Sequence, residues 1–296
     1  MKKLSRVALF VGTIILLLVL WDELNKEKVA SETGQLQSEV DFPAVLSFYE
    51  GFESIEKAVL PVFNSNAAFN NIALQSPATP SVDSYVEHRK CILLGTCDFL
   101  DNRLEISSEQ AYGGKKSLRF YAVPPEGSTV SKSLVENTLL SVGDGDDIWY
   151  SAWHYIDQGW PTTLADFEAS KAQGGPGPRI TLFSPEDGLA IELKHGFRKP
   201  KYRQDRKNRK SFPKDKWVHV AMHLKMSADD DGIIELWQDC EKVIDTTGRN
   251  LPQDNTVLDR IQVGITATES ETALFVDDIS FEMIETERFM PHCKDT

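Results

Sequence analysis

Hydrophobic and polar positions alternate with a period of two through most of the chain beyond residue 100. The segments "NRLEISSEQ", "KSLRFYAV", "DIWYSAWHYI", "PRITLFS", "GLAIELKH", "WVHVAMHLKM", "GIIELWQDC", "DRIQVGITA" and "ALFVDDISF" combine that alternation with β-branched or aromatic residues, which predicts half-buried strands. Between them stand "YGGK", "VPPEG", "GDGDD", "SPEDG" and "SADDDG", whose Gly, Pro and Asp residues favour turns. The acidic turn from Asp229 to Gly232 joins two of these runs into a predicted hairpin. After Ala111 no long segment holds a helical period. This succession of antiparallel strands predicts an all-β domain of two packed sheets, a sandwich or jelly roll. "VLSFYEGFES" reads as its first strand, which places the domain at 44–296. Residues 58–86, rich in Asn, Ser, Pro and Ala, read as irregular loops with room for a short helix.

The N-terminus has a different pattern. An uncharged run from Val7 to Trp21 follows Lys2, Lys3 and Arg6 and precedes Asp22 and Glu23. Positive charge before the run and acid after it predict that the N-terminus stays in the cytoplasm while the bulk of the chain is exported. No small-x-small cleavage site follows closely, so 1–21 reads as a signal anchor in preference to a cleaved signal peptide. Residues 22–43 are polar and aperiodic, as expected of a stalk. The expected location is the periplasmic or cell-surface side of a membrane, or the medium if the segment is cleaved. Export also makes disulfides plausible. Cys91 and Cys97 are close enough for a small loop, and Cys240 and Cys293 form the other plausible pair, although three pairings are open to four cysteines.

Charge is distributed unevenly. The chain carries a formal net charge of -13, yet residues 194–216 hold eleven Lys or Arg against Asp205 and Asp215. An acidic protein repels polyanions in general, so an anionic partner has to be captured by such a local feature. A run of this composition reads either as a solvated, mobile insertion or as part of an active site, and under both readings as an anion-capture element. Export argues against nucleic acid as its partner.

Within "DIWYSAWHYI" the alternation assigns Trp149, Ser151, Trp153 and Tyr155 to one face and Tyr150, Ala152, His154 and Ile156 to the other. One face is core, and the other is a candidate groove whose flat rings would suit pyranose sugars. His219 and His223 share a face, but with no third ligand at a suggestive spacing they read as satisfied histidines.

The stretches "FYEGFES", "SSEQAYGGKKSLRFYA", "KWVHVAMHLKMSADDDGIIELWQDCEKVID" and "LFVDDISF" together resemble the concanavalin A-like jelly rolls. Among these the chain is most similar to polysaccharide lyases of the heparin, alginate and glucuronan lyase type. The resemblance implies a β-sandwich that engages an anionic polysaccharide. It also implies a structural calcium ion between the first and last strands, held by Glu53, Asp277 and Asp278, whose hard oxygens suit that ion. β-Elimination of a uronate requires a neutralised carboxylate, a base for the C5 proton and an acid for the leaving oxygen. On residue type and resemblance, Tyr202 or His195 is the expected base or acid, with Arg198 or Arg203 facing the carboxylate. Lys194, Lys201, Arg203, Gln204, Trp153, His154 and Tyr155 are expected to bind substrate. The alternative is a non-catalytic carbohydrate-binding or envelope-adhesion module. Hydrolysis by paired carboxylates is disfavoured, because no strand carries an E-x-D-x-x-E-like motif.

Overall fold

The computed structural model describes residues 47–56, 68–127, 130–169, 176–182, 184, 186–194 and 201–284. The chain divides into Met1–Pro43 and Ala44–Thr296, and every described residue belongs to the second unit. The expected anchor and stalk therefore lie outside the described residues. Among the described residues no helix is long and apolar enough to cross a membrane.

Two antiparallel sheets form the domain. The eight-stranded sheet runs β13 (Glu241–Thr247), β12 (Ile233–Gln238), β11 (Trp217–Lys225), β6 (Asp147–Gln158), β15 (Thr272–Met283), β4 (Ser117–Ala122) and β3 (Arg103–Ser107), with β1 (Ser47–Glu50) also paired to β15. The seven-stranded sheet runs β10 (Lys201–Arg203), β9 (Ala190–Leu193), β8 (Pro178–Thr181), β7 (Pro161–Glu168), β14 (Arg260–Thr268), β5 (Ser131–Asn137) and β2 (Asn71–Ala73). The all-β sandwich expected from the alternation is the observed architecture.

Alternation decides what each strand buries. Along β6 the inward set is Tyr150, Ala152, His154 and Ile156, and its register with β11 places Met222, Val220 and Val218 beside the first three. Across the core the facing sheet contributes Phe167, Ile180, Ile191, Ile261 and Val263. Burial of this continuous apolar set is the main stabilising term. The predicted hairpin is present as β11 and β12, which pair from Val220 with Gln238 to Lys225 with Ile233.

One helix, α1 (Val82–Leu93), interrupts the β pattern. Ser81 caps it: its hydroxyl accepts from the Ser84 backbone N–H at 3.1 Å, and Ser84 returns the contact to the Ser81 N–H. Ile92 is its buried residue. The Cys91–Cys97 disulfide, with Cα atoms 5.5 Å apart, closes the loop that follows. Cys240 is also disulfide-bonded, and Cys293 lies outside the described residues.

The basic stretch is described from Lys201 onward. Strand β10 is its first part, and a turn tied to the rest of the fold by Gln204 follows. Most of residues 201–216 are exposed, as a solvated stretch would be, while the buried Gln204 and Phe212 tie it to the fold.

Candidate functional site

The register of the seven-stranded sheet aligns one polar residue from every strand. Asn71 lies opposite Glu136, Glu136 opposite Gln262, Gln262 opposite Asp166, Asp166 opposite Arg179, Arg179 opposite Glu192, and Glu192 opposite Lys201. Directly opposed residues share a face. Their chain neighbours Ile72, Val135, Ile261, Phe167, Ile180 and Ile191 are core residues, so the row occupies the outer face.

The row is an almost continuous network. Asn71 Nδ2 and Gln262 Nε2 each donate to a Glu136 carboxylate oxygen at 2.6 Å. Arg179 donates to Glu192 Oε2 through Nε at 2.9 Å and Nη2 at 2.6 Å, while Lys201 Nζ stands 3.1 Å from Glu192 Oε1. Lys194, just past β9, donates to Asp166 Oδ2 at 2.8 Å and also to Glu168. Glu136, Asp166 and Glu192 are only 1–2 % exposed. Carboxylates this buried are tolerated because each is paired and hydrogen-bonded.

The electrostatics follow from those contacts. Burial alone would raise the Glu192 pKa, but the Arg179 and Lys201 hydrogen bonds outweigh it and hold the carboxyl below its ordinary range. Burial alone would lower Lys194, and here Asp166 and Glu168 win, keeping the ammonium above the usual lysine value. At the far end α1 brings Tyr85 within the fields of Glu136 and Arg260, and its phenol is raised chiefly by burial. Lys194 and Tyr85 are thus protonated donors at neutral pH. Arg179 and Lys201 are cations that match a carboxylate.

The expected site residues are split among three environments. Lys194, Lys201 and Arg203 lie on the face of the charged row, Arg203 and Lys201 being two positions apart on β10. His195 and Arg198 lie outside the described residues. Tyr202 is a correction: it is opposite Ile191 and packs on the core, and its hydroxyl donates to the Arg249 carbonyl at 2.7 Å. The phenol is thus partly buried and hydrogen-bonded to a backbone acceptor. Gln204 is a second correction, since its amide is buried and clamps the chain, donating to the carbonyls of Leu189 and Lys210 and accepting from the Lys210 N–H.

The aromatic candidates belong to the other sheet. His154 is fully buried among core residues, and desolvation lowers its pKa to about 3, so it is a neutral packing residue and not a groove residue. Trp153 and Tyr155 lie on the outer face of the eight-stranded sheet, on the opposite side of the sandwich from Lys194. Trp153 stacks on Tyr112 with ring centres 3.5 Å apart, Tyr155 leans on Trp217 at 5.6 Å, and Trp149 lies between His223 at 4.3 Å and Trp237 at 5.6 Å. His223 bridges Glu235 at 2.7 Å and Asp147 at 2.9 Å, the satisfied histidine expected from its spacing. Among the described residues, no groove combines these rings with Lys194.

The expected calcium ligands meet the turn at residues 112–116. Asp277 accepts from the Tyr112 and Gly113 N–H groups at 2.9 and 3.1 Å, Glu53 from those of Lys115 and Lys116 at 2.7 and 2.8 Å, and Asp278 from the Tyr49 hydroxyl. Hard carboxylate oxygens suit calcium. Burial, reinforced by the charge of Asp278, raises Asp277 to about 6. Among the described residues, however, no three His, Cys, Asp or Glu side chains converge as a metal-binding group.

Sequence reasoning missed Asn71, Tyr85, Glu136, Asp166, Arg179, Glu192 and Gln262. A signal was present in two cases: Arg179 and Glu192 are lone charges within otherwise apolar or neutral short strands, "PRIT" and "AIEL".

Solved structures with the same fold include the endo-β-1,4-glucuronan lyase of the fungus Trichoderma reesei, at a TM-score of 0.55 and 13 % identity over 81 % of this chain and 96 % of that one. The cellulose-induced protein Cip1 follows at 0.51 and 15 % identity, over 79 % and 96 %. A mutant of the alginate lyase Aly36B, in complex with alginate tetrasaccharide, superposes at 0.50 and 12 % identity, over 83 % and 100 %. No curated protein sequence matches the chain. The polysaccharide lyase family model matches residues 81–280, more than half of the chain, and the chain belongs to that family.

Proposed function

We propose that this protein is a lyase that cleaves an anionic, uronate-containing polysaccharide by β-elimination on the outer face of the seven-stranded sheet. The observation that carries this reading is the charged row, which sets Arg179, Lys194 and Lys201 along one face in a chain of the polysaccharide lyase family. A uronate carboxylate would take over part of the pairing that Asp166, Glu168 and Glu192 now provide, lowering the cost of the C5 carbanion. A base then removes the C5 proton, its electron pair forms the C4–C5 double bond, the C4–O bond breaks, and the leaving oxygen takes a proton. Lys194, held as an ammonium between Asp166 and Glu168 on the row, fits the role of a proton donor beside the sugar. His195 and Arg198, next to Lys194 in sequence, stay in the proposal as base and carboxylate partner. The reading is tested by incubating the protein with alginate, glucuronan, heparin and a neutral glucan while following the ultraviolet absorbance of the new double bond. A rise with a uronate polymer supports it, and flat traces with all four refute it.

One observation favours a second reading, a binding module without chemistry. Lys194, Arg179 and Lys201 each already hold an acidic partner, and Tyr202 is turned away. Retention on an anionic polymer column with no absorbance rise would select it.

Export and membrane anchoring by residues 7–21 are part of the proposal, supported by the Cys91–Cys97 disulfide, a bond suited to an oxidising compartment. Calcium at Glu53, Asp277 and Asp278 is proposed from the resemblance and from the placement of all three carboxylates around residues 49 and 112–116, and it would require these side chains, which do not converge in this structure, to draw together. Chelation should lower the melting temperature by several degrees, calcium should restore it, and an unchanged melt would remove the ion.

A further inference from the structure

Beyond the charged row, the basic stretch builds a second feature. A cleft of about 440 Å³ is lined by Arg203, Arg206 and Arg209 together with Glu186 and Asp187. It lies at the β10 edge, and Arg203 shares its face with Lys201, the last member of the row. Two residues along a strand span ~7 Å, so the cleft continues the row.

The loop that carries the arginines is held from several sides. The Asp205 carboxylate accepts from the Lys207 N–H at 3.1 Å, and the Asp205 carbonyl from the Asn208 N–H at 3.2 Å. Gln204 ties both ends of the turn to Leu189 and Lys210. Gly188, at φ +63°, lets the opposite wall approach, because a Cβ there would overlap the Lys210 carbonyl and the Gln204 amide. Lys210 then anchors to the Gln238 carbonyl at 2.9 Å and to Glu241 at 3.0 Å. Arg209 pairs with Asp187 at 2.5 Å, whereas Arg206 is exposed and has no ion-pair partner among the described residues. Ordering three guanidinium groups around one cleft brings like charges together, and their planar donor forks match a carboxylate or sulfate.

We infer that this cleft is an outlying anion subsite, which takes one carboxylate or sulfate ester of the polysaccharide beyond the sugars held on the charged row. The inference rests on the proposed polysaccharide function but not on catalysis. Arg206 is its principal ligand, Arg203 joins it to the row, Gln204 is a positioning residue, and Glu186 opposes the anion.

Calorimetric titration of the full-length protein with alginate and heparin tests it, using Arg206→Ala, Arg206→Lys and Glu186→Gln, with Lys194→Ala as a reference for the row. Arg206→Ala should weaken binding about tenfold, the effect of one lost charge-assisted contact. Arg206→Lys should recover only part of it, and Glu186→Gln should tighten binding. Heparin bound more tightly than alginate, with that preference lost in Arg206→Ala, would identify sulfate as the group held; equal losses on both polymers would identify carboxylate. If Lys194→Ala weakens binding while Arg206→Ala and Glu186→Gln do not alter it, the subsite is overturned and the proposed function stands. If no anionic polymer binds the native protein, both fall.

Discussion

On the outer face of the eight-stranded sheet, Trp149, Trp153, Tyr155, Trp217 and Trp237 are occupied with one another and with His219, His223 and Tyr112. On the outer face of the seven-stranded sheet, Glu136, Asp166, Glu192, Arg179, Lys194 and Lys201 are occupied as ion pairs and hydrogen bonds. Both faces are satisfied, but differently. A stacked ring gains from contact area and loses it when the neighbour leaves, so an aromatic face of this kind stabilises the fold. An ion pair can exchange one carboxylate for another of the same geometry, so the charged face is the one suited to the acidic sugar of the proposed function. The expectation that the rings of β6 line a sugar groove together with the cations is not met, because the rings and the cations lie on opposite sides of the sandwich.

The largest effect that would break this contrast is on turnover. Lys194→Ala should reduce the elimination rate on a responsive uronate polymer by about 100-fold, the scale of removing a positioned electrostatic group. Circular dichroism should show the fold retained, although the unpaired Asp166 costs stability. A rate within twofold of the native protein would move the site elsewhere.

Trp153→Ala sharpens the other side of the comparison. It removes the ring beneath Tyr112 and should cost about 2 kcal/mol in a denaturant melt, with the rate on the same polymer essentially kept. A large loss of rate with an unchanged melt would place substrate on the aromatic face.

A smaller effect appears in the pH dependence of stability. The His154 pKa lies near 3 in the fold against an ordinary 6.5, so the unfolded chain takes up a proton on falling below pH 6.5 while the folded one does not. Stability should therefore fall as pH drops from about 6.5 towards 3, and His154→Leu should flatten that slope. Asp277, raised to about 6, has the opposite sign: its contribution is complete below its ordinary value of 3.8 and is lost as pH rises through 6. Melts of the native protein and the variant at matched pH values separate the two. Identical slopes would show that His154 titrates normally and is not desolvated.

The fold was legible because alternation is a local property. "DIWYSAWHYI" and "WVHVAMHLKM" displayed their inward and outward sets directly, and β6 and β11 bury the sets that this pattern assigns. The charged row was not legible, because it exists only through the register of seven strands whose members are far apart in sequence; Asn71 and Gln262 reach Glu136 across 65 and 126 residues. Tyr202 shows the same limit at one position. Residue type fitted it for catalysis, but a strand of three residues gave no pattern from which to tell that it faces Ile191 while its neighbours Lys201 and Arg203 face outward. The helix was visible only as a gap in the strand pattern, although its Ser81 and Ser84 cap was in the sequence.

The most direct test of the central claim is the ultraviolet time course of the full-length protein on alginate, glucuronan and heparin, run beside Lys194→Ala and Trp153→Ala. A rise on a uronate polymer that Lys194→Ala abolishes and Trp153→Ala preserves is the expected result. A rise abolished by Trp153→Ala and untouched by Lys194→Ala would contradict the assignment of chemistry to the seven-stranded sheet.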